Sequence, residues 1–163
     1  MVYALMIDDE QALRESVQRT ASLAGLELLT ASTWDEGLTL FHIHSPDLVI
    51  VDYNLPESRH GLQLIAEIRK LRPSVRLVLL SGYIDEEDAQ EIESLDLVDR
   101  AVSKITSPNA TELILNEIRS AAHRALNPTN WVDVATAHQR AESTDRAALD
   151  DLDHKIQQRR GMS

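Results

Sequence analysis

The 163-residue chain contains no cysteine. Disulfide frameworks, thiolate metal sites and cysteine nucleophiles are therefore excluded. The chain also lacks any apolar run that approaches the roughly 20 residues of a membrane-spanning helix. Its first apolar segment, residues 2–7, has no basic flank of the kind that precedes a secretory signal. These absences predict a cytoplasmic protein without a membrane partner, with one domain and a short appendage.

Positive charge is also scarce, because 27 acidic residues stand against 16 lysines and arginines, for a formal net charge of −11. A broad grip on nucleic acid needs a basic patch. We therefore expect no direct binding of nucleic acid by this chain. Almost all of the net negative charge lies in residues 1–127, so we expect some of it to be concentrated at a site there.

The segment 48–52 is the clearest strand in the sequence. Four aliphatic residues run without a break into Asp52, and a polar turn follows. An uninterrupted apolar run of this kind is typical of a strand that is buried on both faces. Ligands bind beyond the carboxyl ends of such strands in open α/β sheets, so Asp52 is a candidate site residue.

Strand and helix patterns alternate along residues 1–127. Helical spacing of apolar residues predicts five helices, which include one beginning at Trp34 with a Thr33–Glu36 capping box and one whose stripe ends at Leu71. The order βαβαβαβαβα predicts an α/β fold, a doubly wound parallel sheet with helices on both faces. The strands are predicted at residues 2–7, 26–31, 48–52, 75–80 and 97–103.

Chemically useful side chains follow four of the predicted strands: Asp8 and Asp9 after the first, Asp52 at the third, Ser81 after the fourth and Lys104 after the fifth. The carboxyl ends of parallel strands lie on one edge, so these groups can converge. Crowded carboxylates stay ionised only beside a cation, and oxygen ligands suit Mg²⁺ or Mn²⁺. The pattern indicates phosphoryl chemistry on a carboxylate nucleophile.

Each of these residues alone has a simpler interpretation. An acidic pair after a strand is more often a helix cap, a strand-end aspartate is more often a turn residue, and a single lysine is usually solvated. Their coincidence at four strand ends, in order, favours a phosphoacceptor site.

This set of residues, with Asp52 inside the motif Asp-Tyr-Asn-Leu-Pro, resembles the receiver domain of two-component response regulators over about residues 1–127. The resemblance implies a flavodoxin-like fold with strand order 2-1-3-4-5. It implies that Asp52 accepts a phosphoryl group, that Ser81 donates to that group and that Lys104 pairs with it.

The resemblance also implies that Asp8, Asp9, Asp52 and the backbone carbonyl of Asn54 bind Mg²⁺ or Mn²⁺. The phosphoryl donor would be the phosphohistidine of a sensor histidine kinase or of a histidine phosphotransfer protein. Such a protein catalyses its own phosphorylation and slow dephosphorylation, rather than acting as an enzyme on another substrate. It then changes conformation toward a downstream protein partner.

Two of the departures from the family pattern lie at the fifth strand and the residue after its lysine. Ile105 stands where proline usually follows the lysine, so we expect a loop without a cis bond there. Ala101 stands where the family usually has an aromatic switch residue. The sequence therefore does not identify how phosphorylation is relayed from the site to the rest of the protein. Tyr83 is a candidate to compensate, or to slow loss of the phosphoryl group.

Two other functions compete with the leading one. A small-molecule phosphatase of the aspartyl-phosphate type needs an acid/base aspartate two residues after the nucleophile, and Asn54 stands there. A degenerate receiver that acts as a phosphorylation-independent interaction module remains the alternative, given Ala101 and Ile105.

Residues 128–163 form a predicted helical extension, with Leu149, Leu152 and Ile156 on one stripe. We expect this segment to be a helix that forms a homodimer, a segment that folds back on residues 1–127, or the linker of a longer parent chain.

Overall fold

The computed structural model describes residues 4–56, 61–82, 84–104, 109–126 and 146–161. Strands and helices alternate along most of these ranges, and one further helix follows near the end of the chain. The elements are β1 (Ala4–Ile7), α1 (Gln11–Leu23), β2 (Leu28–Ala31), α2 (Trp34–His44), β3 (Leu48–Asp52), α3 (Gly61–Leu71), β4 (Arg76–Ser81), α4 (Glu86–Ser94), β5 (Arg100–Ser103), α5 (Ala110–Leu126) and α6 (Arg146–Gly161). None of the helices in these ranges is both long and apolar enough to cross a membrane.

The five strands form one parallel sheet in the order β2-β1-β3-β4-β5. This confirms the predicted doubly wound α/β fold and its strand order. The register brings the carboxyl ends of the strands together, because Asp52 lies opposite Leu80 on β4 and Ser81 lies opposite Ser103 on β5. The edge that the sequence predicted for the site is therefore a single continuous edge.

The sheet is covered on both faces, and β3 is buried along its whole length. Val49 and Val51 belong to an apolar cluster that includes residues of α2, α3 and α4. Leu48 and Ile50 belong to a second cluster that includes residues of α1 and α5. This alternation of side chains between two apolar layers explains why β3 reads as an unbroken aliphatic run.

Helix starts follow the predicted capping chemistry. The Thr33 hydroxyl accepts a hydrogen bond from the Glu36 backbone N–H at 3.2 Å, and α2 begins at Trp34 as predicted. At α4, Asp85 is the N-cap and Asp88 completes a reciprocal capping box, so this acidic run caps a helix. The predicted stripe of α3 was wrong at its end, because Leu71 is 51% exposed.

The segment before β5 is the other difference from the sequence pattern. A strand was predicted from residue 97, but β5 begins at Arg100. Arg69 is 1% exposed and its guanidinium donates to the carbonyls of Leu97, Pro73 and Val75 and to the Asp99 carboxylate. These bonds take the Leu97 carbonyl out of strand pairing, which delays the start of β5.

Helix α6 folds back on the sheet domain. Leu152 and Ile156 are 2% and 1% exposed and belong to the same apolar cluster as Val49 and Val51, and Leu149 packs against that cluster. Three arrangements were expected for this segment, and the structure shows the one in which the segment folds back on its own chain. The predicted boundary between residues 127 and 128 lies outside the described residues and stays a prediction.

Candidate functional site

The Asp8 carboxylate is fixed at the end of β1. Its backbone N–H continues the pairing with β2 by donating to the Ala31 carbonyl at 3.0 Å, and its Oδ1 accepts from the Glu10 N–H at 2.8 Å. Arg14 donates to the Asp8 carbonyl at 2.6 Å. Asp8 is fully buried, so these bonds hold an ionisable side chain in one orientation.

Asp52 closes β3, and the backbone after it is tied to the sheet. The Tyr53 N–H donates to the Leu80 carbonyl at 2.8 Å, and the Tyr53 carbonyl accepts from the Gly61 N–H at 3.0 Å. A Cβ at Gly61 would collide with the Asp52 carbonyl oxygen and lie 2.8 Å from the Tyr53 Cα. Only glycine therefore allows α3 to begin this close to the end of β3.

Three carboxylates meet at this edge of the sheet. Ligand oxygens of Asp8, Asp9 and Asp52 all lie within 4.8 Å of one another. Asp8 and Asp52 are buried while Asp9 is exposed, so the cluster has a buried floor and a side open to solvent. Hard oxygen donors with solvent access fit a Mg²⁺ or Mn²⁺ ion, which keeps water ligands.

Lys104 supplies the positive charge that opposes this cluster. Its Nζ lies 2.8 Å from Asp8 Oδ2, 3.5 Å from Asp52 Oδ2 and 3.7 Å from Glu10 Oε2. Its backbone N–H donates to the Ser81 carbonyl at 2.7 Å, which fixes the end of β5 against the end of β4. The lysine therefore bridges both buried carboxylates.

Burial and the neighbouring charges shift the pKa values of Asp52 and Lys104. Burial raises the pKa of Asp52 from its ordinary 3.8 to about 7, and the nearby Asp8 charge adds to this, while Lys104 and a backbone hydrogen bond from Asn54 oppose it. Burial alone would lower the pKa of Lys104, but its hydrogen bond to Asp8 and the Asp52 charge raise it above its ordinary value. The metal-free site thus holds Asp52 partly protonated at neutral pH beside a charged lysine.

The predicted site residues come together to different extents. Asp8, Asp9, Asp52 and Lys104 form one cluster, and Asn54 reaches it through its backbone hydrogen bond to Asp52. Ser81 is fully buried at the carboxyl end of β4, with its backbone bonded to that of the lysine. Tyr83 lies outside the described residues, as does Ile105, so the predictions on both stay untested.

Ala101 lies in the wall of a cleft. The cleft has a volume of about 240 Å³ and is lined by residues of α4, β5 and α5. Alanine at this position leaves space where a larger side chain would fill the wall. The cleft is separate from the acidic cluster, and its lining includes Asp85, Glu86, Ala89, Arg100, Ala101, Val102, Ser103 and Leu113.

Three residues that shape the site were not predicted as site residues from the sequence: Glu10, Arg14 and Gly61. Glu10 pairs with Lys104, and Arg14 donates a hydrogen bond to the Asp8 carbonyl. No spacing rule in the sequence predicts either contact. Gly61 could have been identified from the sequence, because it is the glycine that separates the polar turn from the apolar stripe of α3.

A doubly wound sheet with an acidic cluster and an opposed lysine at its carboxyl edge is the arrangement of a signalling receiver. The family model of the response regulator receiver domain matches residues 4–119. The chain belongs to that family, and so it is a receiver domain of two-component signal transduction.

Relatives and solved structures agree with this assignment. The chain is 33% identical over 126 residues to the "Probable transcriptional regulator ycf27" of Cyanophora paradoxa, a match that covers 77% of this chain and 50% of the relative. It is 28% identical over 124 residues to the transcriptional regulatory protein KdpE of Mycobacterium tuberculosis, covering 76% and 52%. The chain therefore spans about half the length of the curated relatives it matches.

Among solved structures, a response regulator receiver domain protein of Clostridium thermocellum has a TM-score of 0.65 at 26% identity, and the match covers 79% of this chain and all of that one. A CheY-like receiver domain protein of Methanospirillum hungatei has a TM-score of 0.62 at 25% identity, covering 76% and 98%. Both matches are to receiver domains, so fold and family agree.

Proposed function

We propose that this chain is a phosphorylation-controlled receiver in which Asp52 is the phosphoacceptor. An Asp52 carboxylate oxygen attacks the phosphorus of a phosphohistidine, the P–N bond breaks, and the histidine nitrogen of the donor takes up a proton. The product is an aspartyl phosphate, which water later hydrolyses to release phosphate and regenerate the carboxylate.

The observation that carries this proposal is the contact of Lys104 with two buried carboxylates inside a three-carboxylate cluster. A structural ion pair needs one carboxylate for one lysine. A second buried carboxylate whose pKa rises to about 7 is costly to stability, and strongly perturbed groups of this kind concentrate at functional sites.

The roles that we propose for the other residues are supported by their positions around Asp52. Asp8 and Asp9 would hold Mg²⁺ or Mn²⁺ with Asp52 and the Asn54 carbonyl. A divalent cation bound there would neutralise the carboxylates and the incoming phosphoryl oxygens. Lys104 pairs with the anionic phosphoryl group, and Ser81 donates a hydrogen bond to it from the adjacent strand end.

The donor would be a sensor histidine kinase or a histidine phosphotransfer protein. The curated relatives carry the names of transcriptional regulators, and this chain matches half of their length. We infer that output passes to a downstream protein partner or to sequence outside the matched half. The net charge of −11 argues against direct nucleic-acid binding by the chain itself, and a cytoplasmic location stays a prediction.

The test is phosphorylation of the full chain by a small phosphodonor with Mg²⁺, followed by intact mass. We expect an adduct of one phosphoryl group on the parent, and none on Asp52→Asn or in the presence of a chelator. Glu67→Gln is the matched control, because it makes the same acid-to-amide change at an exposed position of α3. An unmodified parent would overturn the proposal in favour of a phosphorylation-independent interaction module.

A further inference from the structure

We propose that α6 is an intrachain strap that is released from the receiver when Asp52 is phosphorylated, and that Tyr53 couples the two events. The inference rests on the proposed phosphorylation of Asp52. It goes beyond that function because it gives residues 146–161 a role and identifies a route by which the site reaches them.

The strap is held mainly by one apolar stripe. Leu152 and Ile156 are almost fully buried and Leu149 is partly buried, while Asp150, Asp151, His154 and Lys155 are exposed. The spacing i, i+3, i+7 places the three aliphatic residues on one face of the helix. Helix α6 therefore has one apolar face, and the receiver covers it.

Polar contacts with Tyr53 and Glu91 help to locate the strap on the receiver. The buried Tyr53 hydroxyl donates to the Asp153 carboxylate. Lys155 lies 3.3 Å from Glu91 of α4, but both side chains are exposed, and exposed ion pairs contribute little. The bond to Tyr53 is thus a polar contact of α6 with a buried side chain of the receiver, and it connects residues 100 positions apart.

Tyr53 is also the residue that follows the phosphoacceptor. Its backbone is bonded to Leu80 on one side and to Gly61 on the other, so it has little freedom to move independently of Asp52. The carboxylate of Asp52 lies in the acidic cluster, whereas the phenol of Tyr53, the first residue after β3, contacts the strap. A displacement of this peptide at the site therefore reaches α6 directly.

The direction of the effect follows from charge. Phosphorylation adds negative charge to the residue adjacent to Tyr53, and the group that Tyr53 holds is itself a carboxylate. The strap carries two more acids, Asp150 and Asp151, in the same turn. Added negative charge at Asp52 disfavours docking of this turn, which contains all three acids of α6, whereas its four lysines and arginines lie outside residues 150–153. Residues 127–145 keep a released helix attached to the receiver, so re-docking remains an intramolecular event.

Amide hydrogen exchange of residues 146–161 in the full chain tests the inference, with intact mass read from the same samples. We expect phosphodonor and Mg²⁺ to raise exchange in α6 at least tenfold on the parent and to leave it unchanged on Asp52→Asn. Tyr53→Phe removes only the hydroxyl, so we expect faster exchange in α6 before phosphorylation and a smaller response after it. Lys155→Gln is the control, and it should resemble the parent.

The outcomes separate this inference from the proposed function. A phosphoryl adduct with unchanged or slower exchange in α6 overturns the strap and leaves Asp52 as the phosphoacceptor. Absence of an adduct overturns both. If α6 is instead protected by a second copy, its exchange and the molecular mass by light scattering depend on protein concentration, and that result overturns the intrachain docking.

Discussion

Replacing Asp52 with asparagine should stabilise the metal-free protein, and the gain should grow with pH. Asp52 has a pKa raised to about 7, mainly by burial and then by Asp8. Between about pH 4 and pH 7 the folded chain therefore binds more protons than the unfolded chain, so stability falls as pH rises, and above pH 7 the loss is complete. The rise in the pKa of Asp52 above its ordinary value corresponds to a loss of about 4 kcal/mol at most in the free energy of unfolding.

The part of this loss that falls between pH 5 and pH 8 is roughly 2–3 kcal/mol by the linkage relation. Asp52→Asn keeps the size of the side chain and removes its ionisation, so the variant should lack this part of the pH dependence. Addition of Mg²⁺ at pH 8 should stabilise the parent more than the variant, because the cation relieves the repulsion only where all three carboxylates are present.

Urea unfolding in the presence of a chelator measures this effect at several pH values between 5 and 8. Glu67→Gln serves as the control for loss of one acidic charge, because Glu67 is exposed. Parallel pH profiles for the parent and Asp52→Asn would refute the reasoning, since Asp52 would then titrate alike in the folded and unfolded chains.

Three further predictions concern residues around the site and the sheet. Lys104→Met leaves the buried Asp8 carboxylate without its 2.8 Å partner, so we expect a loss of about 2 kcal/mol in urea unfolding and a lower adduct yield; equal yield would contradict the role of the lysine. Arg69→Met removes the hydrogen-bond donor of several buried carbonyls, so the free energy of unfolding in the same assay should fall by at least about 3 kcal/mol. A smaller loss would show that water replaces the guanidinium. Gly61→Ala should cost roughly 1–3 kcal/mol through overpacking, whereas Gly82→Ala, which meets nothing within 4 Å, should change stability by less than about 0.5 kcal/mol; equal effects would refute the close-approach argument.

The sheet and its carboxyl edge were predictable because they depend on local patterns. The aliphatic run of β3 predicted its burial on both faces, and β3 has the predicted bounds. Since parallel strands end on one edge, the positions of Asp8, Asp52 and Lys104 at strand ends were sufficient to predict their approach. The order of elements thus carried most of the information about the acidic cluster.

The start of β5 was not predictable because it depends on a distant side chain. Arg69 on α3 takes up the Leu97 carbonyl, and no periodicity within residues 95–103 contains that bond. Asp96 adopts a left-handed backbone conformation with φ of 57° in the same segment. Aspartate is one of the few residues besides glycine that adopt this conformation.

The docking of α6 was open for a similar reason. The stripe of Leu149, Leu152 and Ile156 predicted an apolar face but could not identify what covers it. The contact between Tyr53 and Asp153 joins residues far apart in the sequence. Its donor, Tyr53, belongs to the phosphoacceptor motif, so nothing in the sequence indicated that it would bind this helix. A homodimer through this helix stays a prediction, although in this structure the stripe is buried against its own chain.

The most direct test of the central claim is to locate the phosphoryl group on the full chain. After treatment with a small phosphodonor and Mg²⁺, hydroxylamine converts an acyl phosphate into a hydroxamate, which peptide mass spectrometry assigns to one residue. The account predicts a hydroxamate on Asp52 and on no other residue. A hydroxamate on Asp8 or Asp9, or a phosphoryl group that hydroxylamine does not displace, would contradict it.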